Sequence, residues 1–388
     1  MMTNNYPTRI LYYCQSLAGI GHLTASLHVI RELLQHSNVD LIYGGHRIDI
    51  NLEHHGFRHI SLPTILINEA TGCLYTPNQP YSVDQLWPLR AQQITAFLFQ
   101  HYDAAVVEFF PFGRRKFKKE ILSLFRQLRD RNSCIPFFTF VREVLVPEPV
   151  ETEHRIVQLI NDYIHTVFIR GDSNVIRFEE TFSLTDQIAD KICYLGYLGS
   201  RLPEMRPARA KQILVSQGGG SRGRELLESA IRTAPLLPRH QFLIATGAQT
   251  TVQDFANLAD LVSSDNVKIV PFLENFRSQL LESALSISLG GDNTLIDVIS
   301  THTPGLAFPY PGDSEQTMRI NKLAQKGFIH PLGADDLVPE RLHEKIVHAL
   351  GLPCPEVEIA MGGAVKMSEQ IKAVLANIAT GVDSTAEL

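Results

Sequence analysis

His22 closes a glycine turn, Leu17-Ala18-Gly19-Ile20-Gly21-His22, that separates an apolar run (Arg9 to Cys14) from Leu23, Leu27, Ile30 and Leu34 at helical spacing. A histidine at a helix N-terminus meets the positive end of the helix, which disfavours imidazolium and keeps the ring able to accept a proton. It is therefore a candidate general base, with Gly19 and Gly21 shaping the acceptor side of the turn. A helix-opening histidine with a purely structural role is the alternative. Glu108 ends a second apolar run, Asp103 to Phe109, just before Pro111-Phe112-Gly113. The carboxyl end of a parallel strand faces the ligand side of an open sheet, which makes Glu108 the candidate partner of the base or an acceptor contact. Arg142, at the end of the run Ile135 to Val141, can meet an anionic acceptor or a pyrophosphate, or pair with Glu143.

A second group of such residues lies late in the chain. Leu285, Ile287 and Leu289 run into Gly290-Gly291-Asp292-Asn293-Thr294, so the helix that follows begins with bare backbone amides that attract phosphate. Asp297, about one turn into that helix, is placed to accept paired hydroxyls such as those of a ribose. The competing reading makes Thr294 and Asp297 a capping box. A second strand, glycine loop and helix unit runs through Lys211 to Gln217, Gly218-Gly219-Gly220-Ser221 and Arg222 to Leu227. Arg222 or Arg224 can neutralise a phosphate there, and at least one of them reads as a solvated helix-face arginine. Glu315 and Gln316 set a carboxylate beside a carboxamide, acceptors and donors that can grip adjacent hydroxyls of a hexose. Phe272 and Leu273 follow the run Val267 to Val270 and read equally as a buried edge of the domain core.

The layout from Val267 to Phe328 resembles the donor site of GT-B glycosyltransferases of the MurG type, whose C-terminal domain defines glycosyltransferase family 28. The likeness runs nearly end to end, strongest over 267–328, good over 9–35 and loose between about 60 and 205. It implies a GT-B fold: two Rossmann-like parallel-sheet α/β domains facing a central cleft, with a C-terminal helix crossing back to the first. It also implies that Gly219, Gly220 and Ser221 lie against the donor diphosphate, with Gly291, Asn293 and Thr294 at the second helix end. Phe272 and Leu273 would hold the base, Asp297 the ribose, and Glu315 with Gln316 the donor sugar. Inverting members place a histidine at the end of a Gly-x-Gly-His loop, which falls on His22. Gly290 and Asp292 stand where MurG-type enzymes commonly have Ser and Ala, and the acceptor loops do not match, so the lipid acceptor of those enzymes is not implied.

The expectation is an inverting, metal-independent transfer of a hexose or amino sugar from a nucleotide-diphosphate sugar, UDP-sugars first, to an acceptor hydroxyl. A sugar-nucleotide hydrolase on the same fold and a catalytically silent sugar-nucleotide-binding subunit or sensor are the alternatives. No cofactor is expected beyond the donor itself. No metal is expected either, because the chain has no Asp-x-Asp motif. The acceptor is left open among a small molecule, a glycan and a lipid-linked sugar.

The elements that must position these residues follow from the whole chain. Its 388 residues, 44% of them hydrophobic, suffice for two cores, and glycine turns alternate with strand and helix patterns throughout. The expected domains span 1–200 and 208–355, with a crossover helix and tail at 356–388. A formal charge of −6 gives no reason to expect nucleic-acid binding. Met1 to Pro7 are polar, without the apolar core of a leader, and no apolar run is long enough to span a bilayer, so a cytoplasmic location is expected. Five dispersed cysteines read as reduced, mostly buried thiols. Residues 114–131 form a basic stretch with an apolar stripe (Phe117, Ile121, Leu124, Phe125, Leu128). It reads as a helix packed on its own sheet or as a peripheral contact to anionic lipid at the inner face of a membrane. Thr64 to Pro88 reads as a long loop carrying Tyr75, Tyr81 and Trp87, followed by a helix from Leu89 to His101.

Overall fold

The computed structural model describes residues 8–17, 19–68, 71–78, 80–199, 208–218, 222–247, 249–353 and 359–380. The chain divides into two compact units. One holds the chain up to Ser173, Arg177–Leu198 and the chain from Gly362; the other holds Asn174–Ile176 and Gly199–Met361. The segment 200–207, expected as the linker, lies outside the described residues.

The first unit contains strands β1 (Arg9–Gln15), β2 (Asn38–Gly44) and β3 (Phe57–Ser61), then the short antiparallel pair β4 (Leu66–Ile67) and β5 (Leu74–Tyr75). After these come β6 (Ala104–Glu108), β7 (Phe137–Arg142), β8 (Ile164–Arg170) and β9 (Ile192–Tyr194). Seven of them form a parallel sheet in the order β3-β2-β1-β6-β7-β8-β9. Its central strands are buried along nearly their whole length, as a parallel sheet covered on both faces requires. Helices α1 (Gly21–Leu33), α2 (Val83–Phe97), α3 (Lys118–Arg129) and α4 (Val150–Tyr163) connect these strands.

The second unit repeats the plan with β10 (Ala210–Ser216), β11 (Gln241–Ala245), β12 (Val267–Val270), β13 (Ser283–Leu289), β14 (Gly305–Phe308) and β15 (His330–Pro331). They form a parallel sheet in the order β12-β11-β10-β13-β14-β15. The helices here are α5 (Arg224–Thr233), α6 (Val252–Ala259), α7 (Phe276–Glu282), α8 (Asp292–Ser300), α9 (Ser314–Gln325) and α10 (Pro339–Leu350). The last helix, α11 (Gly363–Thr380), belongs to the first unit, where Ala364, Met367 and Ile371 join the core cluster of Leu23, Val29 and Ile30 from α1. Gly363 is required there, since a methyl on it would lie 2.5 Å from the Gly196 carbonyl oxygen.

In both sheets the strand order reverses beside the first strand of the unit, between β1 and β6 and between β10 and β13. Loops leaving the carboxyl ends of such strand pairs splay apart and open a crevice, where ligands of open α/β sheets bind. The turns before α1 and α8 and the end of β6 all sit at these reversals.

Two expectations change, on the start of α2 and on the cysteines, and the packed-helix reading of 114–131 holds for its apolar stripe. The helix expected from Leu89 begins at Val83, because Ser82 and Gln85 form a capping box that starts it six residues earlier, with Pro88 accommodated inside. Trp87 is consequently helical and half-buried, its ring edge-on to Phe117 at 5.1 Å, while Tyr75 and Tyr81 are exposed. The apolar stripe of α3 is buried in the core of its own unit, leaving a basic outer face. Of the four cysteines described, Cys14 is buried and Cys193 half-buried, but Cys73 and Cys134 are exposed, and Cys354 lies outside the described residues.

Candidate active site

In the first unit, β1 ends at Gln15 and α1 starts at Gly21, which sets His22 in the first turn of the helix. The neighbouring strand β6 ends at Glu108, 4% exposed. His22 Nδ1 and Glu108 Oε1 are 2.5 Å apart. A carboxylate only accepts, so Nδ1 carries the proton and Nε2 of the neutral ring keeps its lone pair. Among the described residues nothing hydrogen-bonds Nε2. The pair that the sequence singled out across 86 positions is thus in contact.

Two arginines complete the cluster. Arg114 Nη2 donates to Glu108 Oε2 at 3.3 Å, and the guanidiniums of Arg114 and Arg142 lie 5.4 and 5.2 Å from the centroid of the Phe109 ring. That ring also meets His22 edge-on at 5.5 Å. Gly113 makes room for it, since a methyl there would stand 2.4 Å from Phe109 Cδ1. Burial lowers the pKa of His22 below the usual histidine value, the Glu108 charge opposes this, and Arg114 and Arg142 add to it. For Glu108, burial pushes upward, but His22, Arg114 and Arg142 outweigh it and hold the carboxyl below the usual range. Both directions give a neutral imidazole beside a carboxylate at neutral pH, the state a general base needs. Gly19 and Gly21 lie in the turn itself, Gly19 in open space.

In the second unit, β13 leads through Gly290 and Gly291 into α8. Gly290 is required by packing rather than by its backbone angles: a methyl there would lie 2.7 Å from Ile320 Cδ1 and 2.9 Å from Gln316 Cβ of α9. The helix opens at Asp292 with Gly291 as N-cap and no side-chain cap, so Asn293 and Thr294 belong to its first turn. The capping-box alternative for Thr294 and Asp297 therefore fails, because Thr294 is already inside the helix. The Asp297 carboxylate has no hydrogen-bond partner among the described residues. Burial pushes its pKa up to about 6, Arg277 opposes this and Asp292 adds to it.

The turn after β10 approaches the same helix end: a methyl on Gly218, whose φ is +80°, would lie 3.7 Å from Thr294 Oγ1. Gly219, Gly220 and Ser221 lie outside the described residues. Beyond them, Arg224 is the solvated arginine, exposed and paired with Glu228 and Asp254. Arg222 instead lies over the Tyr310 ring at 4.8 Å. Glu315 and Gln316 occupy the first turn of α9, capped by Asp313, which accepts from the Gln316 backbone amide at 2.9 Å. The Gln316 side-chain oxygen accepts from the Tyr310 amide at 3.0 Å, and Glu315 pairs with Arg319 at 2.8 Å. Leu273 packs on Leu214, Leu243, Leu280 and Val298, whereas Phe272 is 56% exposed, against the expectation of a buried core edge for both.

Arg114, Phe109, Tyr310 and Arg319 were not singled out by sequence. Arg114 reads as part of a basic run, and Arg319 as an ordinary i+4 partner of Glu315 on an amphipathic helix. Among the described residues, no group of three or more His, Cys, Asp or Glu side chains is arranged to hold a metal ion, and no helix is long and apolar enough to cross a membrane.

Residues 214–370 match the glycosyltransferase family 28 C-terminal domain. An uncharacterised glycosyltransferase of Methanopyrus kandleri is 23% identical over 239 residues, 58% of this chain and 66% of the relative. The UDP-N-acetylglucosamine--N-acetylmuramyl-(pentapeptide) pyrophosphoryl-undecaprenol N-acetylglucosamine transferase of Caldanaerobacter subterraneus is 28% identical over 150 residues, 37% of this chain and 41% of the relative. The matches thus span between two fifths and just under two thirds of these curated relatives. Among solved structures, Acinetobacter baumannii MurG superposes with a TM-score of 0.58 at 16% identity, covering 96% of this chain and all of that one. The chain therefore carries a glycosyltransferase family 28 C-terminal domain within the two-unit α/β fold of the GT-B glycosyltransferases.

Proposed function

We propose that this protein transfers a sugar from a nucleotide-diphosphate donor to an acceptor hydroxyl, with inversion at the anomeric carbon and without a bound divalent ion. The acceptor oxygen attacks the anomeric carbon, its proton passes to His22 Nε2, and the bond to the diphosphate oxygen breaks, with the electron pair leaving on the nucleoside diphosphate. Glu108 holds the ring in the reactive tautomer and stabilises the imidazolium that forms. The observation that carries this reading is the 2.5 Å contact between His22 Nδ1 and Glu108 Oε1 at the strand-order reversal of the first unit.

On the donor side, Asp297 accepts the ribose hydroxyls. Backbone amides at the start of α8 and of the Gly219, Gly220 and Ser221 loop take the diphosphate, together with Arg222. Phe272 and Leu273 wall the base, and Glu315 with Gln316 holds a hexose or amino sugar. A UDP-sugar is the preferred donor, in keeping with relatives named for transfer from UDP-N-acetylglucosamine. The carboxylate of Asp297, without a hydrogen-bond donor among the described residues, supports the ribose role, since hydroxyl groups would supply such bonds.

The acceptor side includes a cavity of about 890 Å³ between α2 and α3, lined by Leu74, Trp87, Ala91 and Ile94 together with Lys116, Lys118 and Lys119. This mix of apolar wall and cationic side chains supports an anionic or lipid-linked acceptor and a peripheral, salt-sensitive contact with anionic membrane. Turnover of a UDP-sugar panel by wild type and His22→Ala tests the proposal. UDP release that needs an acceptor and is lost in the variant supports transfer, whereas free sugar at full rate without acceptor identifies a hydrolase.

A further inference from the structure

Among the described residues three non-glycine residues take a positive φ, and two of them, Phe109 at 65° and Arg114 at 60°, bracket the turn that follows β6. A side chain in the left-handed region costs energy and persists where its surroundings fix it, commonly at a functional site. The Gly113 amide closes this turn by donating to the Phe109 carbonyl at 2.6 Å. The chain thereby folds back, and Arg114 returns to Glu108, six residues before it. Both left-handed residues then meet the His22–Glu108 pair, Phe109 through its ring and Arg114 through its guanidinium.

The bonding of Arg114 is not that of a structural arginine. Arg90 of α2 shows what burial ordinarily demands: it donates to both oxygens of Glu120, to the Pro63 carbonyl and to Gln15 Oε1, each at 2.8 Å. Arg114 is buried too, yet among the described residues its guanidinium makes one hydrogen bond, to Glu108 Oε2, and its Nε is buried without a partner. So sparsely bonded a buried cation adds little stability, and what it acts on is Glu108.

The two oxygens of Glu108 are divided between two partners, Oε1 facing His22 Nδ1 and Oε2 facing Arg114. The other charged or titratable groups that act on the pair are Arg142 of β7 and Tyr12 and Cys14 of β1, and burial keeps the last two neutral. When His22 takes a proton on Nε2, the Nδ1 proton has two places to rest. It stays on the ring, giving imidazolium beside carboxylate, or crosses to Glu108, giving a neutral ring beside a neutral acid. Burial favours the neutral pair, because no water solvates the separated charges. A fixed cation on the far oxygen favours the ionic pair.

We propose that Arg114 is a positioning residue of the proton-accepting pair: it holds Glu108 with one oxygen toward His22 and keeps it a carboxylate after His22 has taken the acceptor's proton. This rests on the reading of His22 as the base. In the transfer step the acceptor O–H bond breaks as its oxygen bonds the anomeric carbon, the diphosphate leaves with the electron pair, and the proton ends on Nε2. The Nδ1 proton does not move, so the positive charge stays on the ring until Nε2 returns its proton to solvent.

Nitrogen NMR of the full chain carrying isotope-labelled histidine tests this across pH, with His22→Ala identifying the signals. Wild type should show His22 protonated on Nδ1 at neutral pH and on both nitrogens below its midpoint. Arg114→Met should raise that midpoint and, below it, show Nε2 protonated and Nδ1 bare, the proton having crossed to Glu108. Arg114→Lys keeps a cation on Glu108 and should return the doubly protonated ring in part. Arg114→Gly suits the left-handed backbone and repeats the measurement should Arg114→Met fail to fold. An arginine with a purely structural role predicts the wild-type pattern in Arg114→Met and Arg114→Gly, and that result would overturn the proposal. So would an Arg114→Lys protein indistinguishable from Arg114→Met. A wild-type ring protonated on Nε2 at neutral pH would instead overturn the base reading on which the proposal rests.

Discussion

In the first unit the carboxylate at the strand-order reversal, Glu108, touches His22 and Arg114 and is held below the usual carboxylate range. In the second unit the corresponding carboxylate, Asp297, has no hydrogen-bond donor among the described residues and is pushed up to about 6. The two sheets share one strand order, so the contrast does not come from topology. It comes from what surrounds each carboxylate: the loop after β6 brings Arg114 against Glu108, while at Asp297 burial prevails, Arg277 opposing it and Asp292, at the start of α8, adding a like charge. A carboxylate already paired can orient a base. One without a donor is suited to neutral hydroxyls that arrive with a ligand. Under the proposed function, the reversal of one sheet would serve acid–base chemistry and that of the other recognition.

The largest effect expected from this contrast is on turnover. His22→Ala should lower the transfer rate by roughly 10²–10⁴-fold, the usual range for loss of a general base, with UDP affinity unchanged. A variant that keeps wild-type turnover would break the assignment of the first site to chemistry.

Asp297→Asn should act in the opposite sense on two readouts. UDP affinity should fall about tenfold as the charged acceptor for ribose is lost. Stability at pH 7 should rise, on the order of 1 kcal/mol. The sign follows from linkage: with a folded pKa of about 6 against 3.8 for an ordinary aspartate, the folded state binds the extra proton between these values. Wild-type stability therefore falls as pH rises from about 4 to 6, and the variant should lack that slope. Thermal melts across this window would show it, and a variant less stable than wild type at pH 7 would contradict it.

A subtler expectation concerns the acid limb of the rate profile, set by His22. Arg114→Met should move it to higher pH, because Arg114 lowers the His22 pKa. Glu108→Gln should move it lower, because Glu108 raises it. Shifts in the same direction would mean that the arginine and the carboxylate do not act on the histidine charge. The smallest change is expected away from both sites: Ser82→Ala should remove the cap of α2 and about 1 kcal/mol of stability, with no effect on nucleotide binding.

Much of this was legible in the sequence, for identifiable reasons. Parallel strands buried on both faces leave long apolar runs, and β1, β10 and β13 end in glycine turns, so both sheets and the places of His22, Glu108 and Asp297 in them could be read directly. The pairing of His22 with Glu108 followed from the rule that strand ends at one edge of a sheet face one side. What stayed hidden depends on side-chain direction. Arg114 lies among five cations within 114–119, interrupted only by Phe117, and nothing in that run says which cation turns inward. Arg319 has the spacing of a solvent-exposed helical pair, and only the close approach of α9 to Gly290 buries it. The early start of α2 was masked by Pro88, since a proline ordinarily argues against a helix interior. The apolar stripe of α3 was visible as periodicity, but its burial against its own sheet needed the structure.

The most direct test of the central claim is calorimetric titration of UDP into wild type, His22→Ala and Asp297→Asn. The account predicts equal affinity for the first two and about tenfold weaker binding for the third. Equal weakening in both variants, or no binding of UDP to wild type, would contradict the division of labour between the two sites.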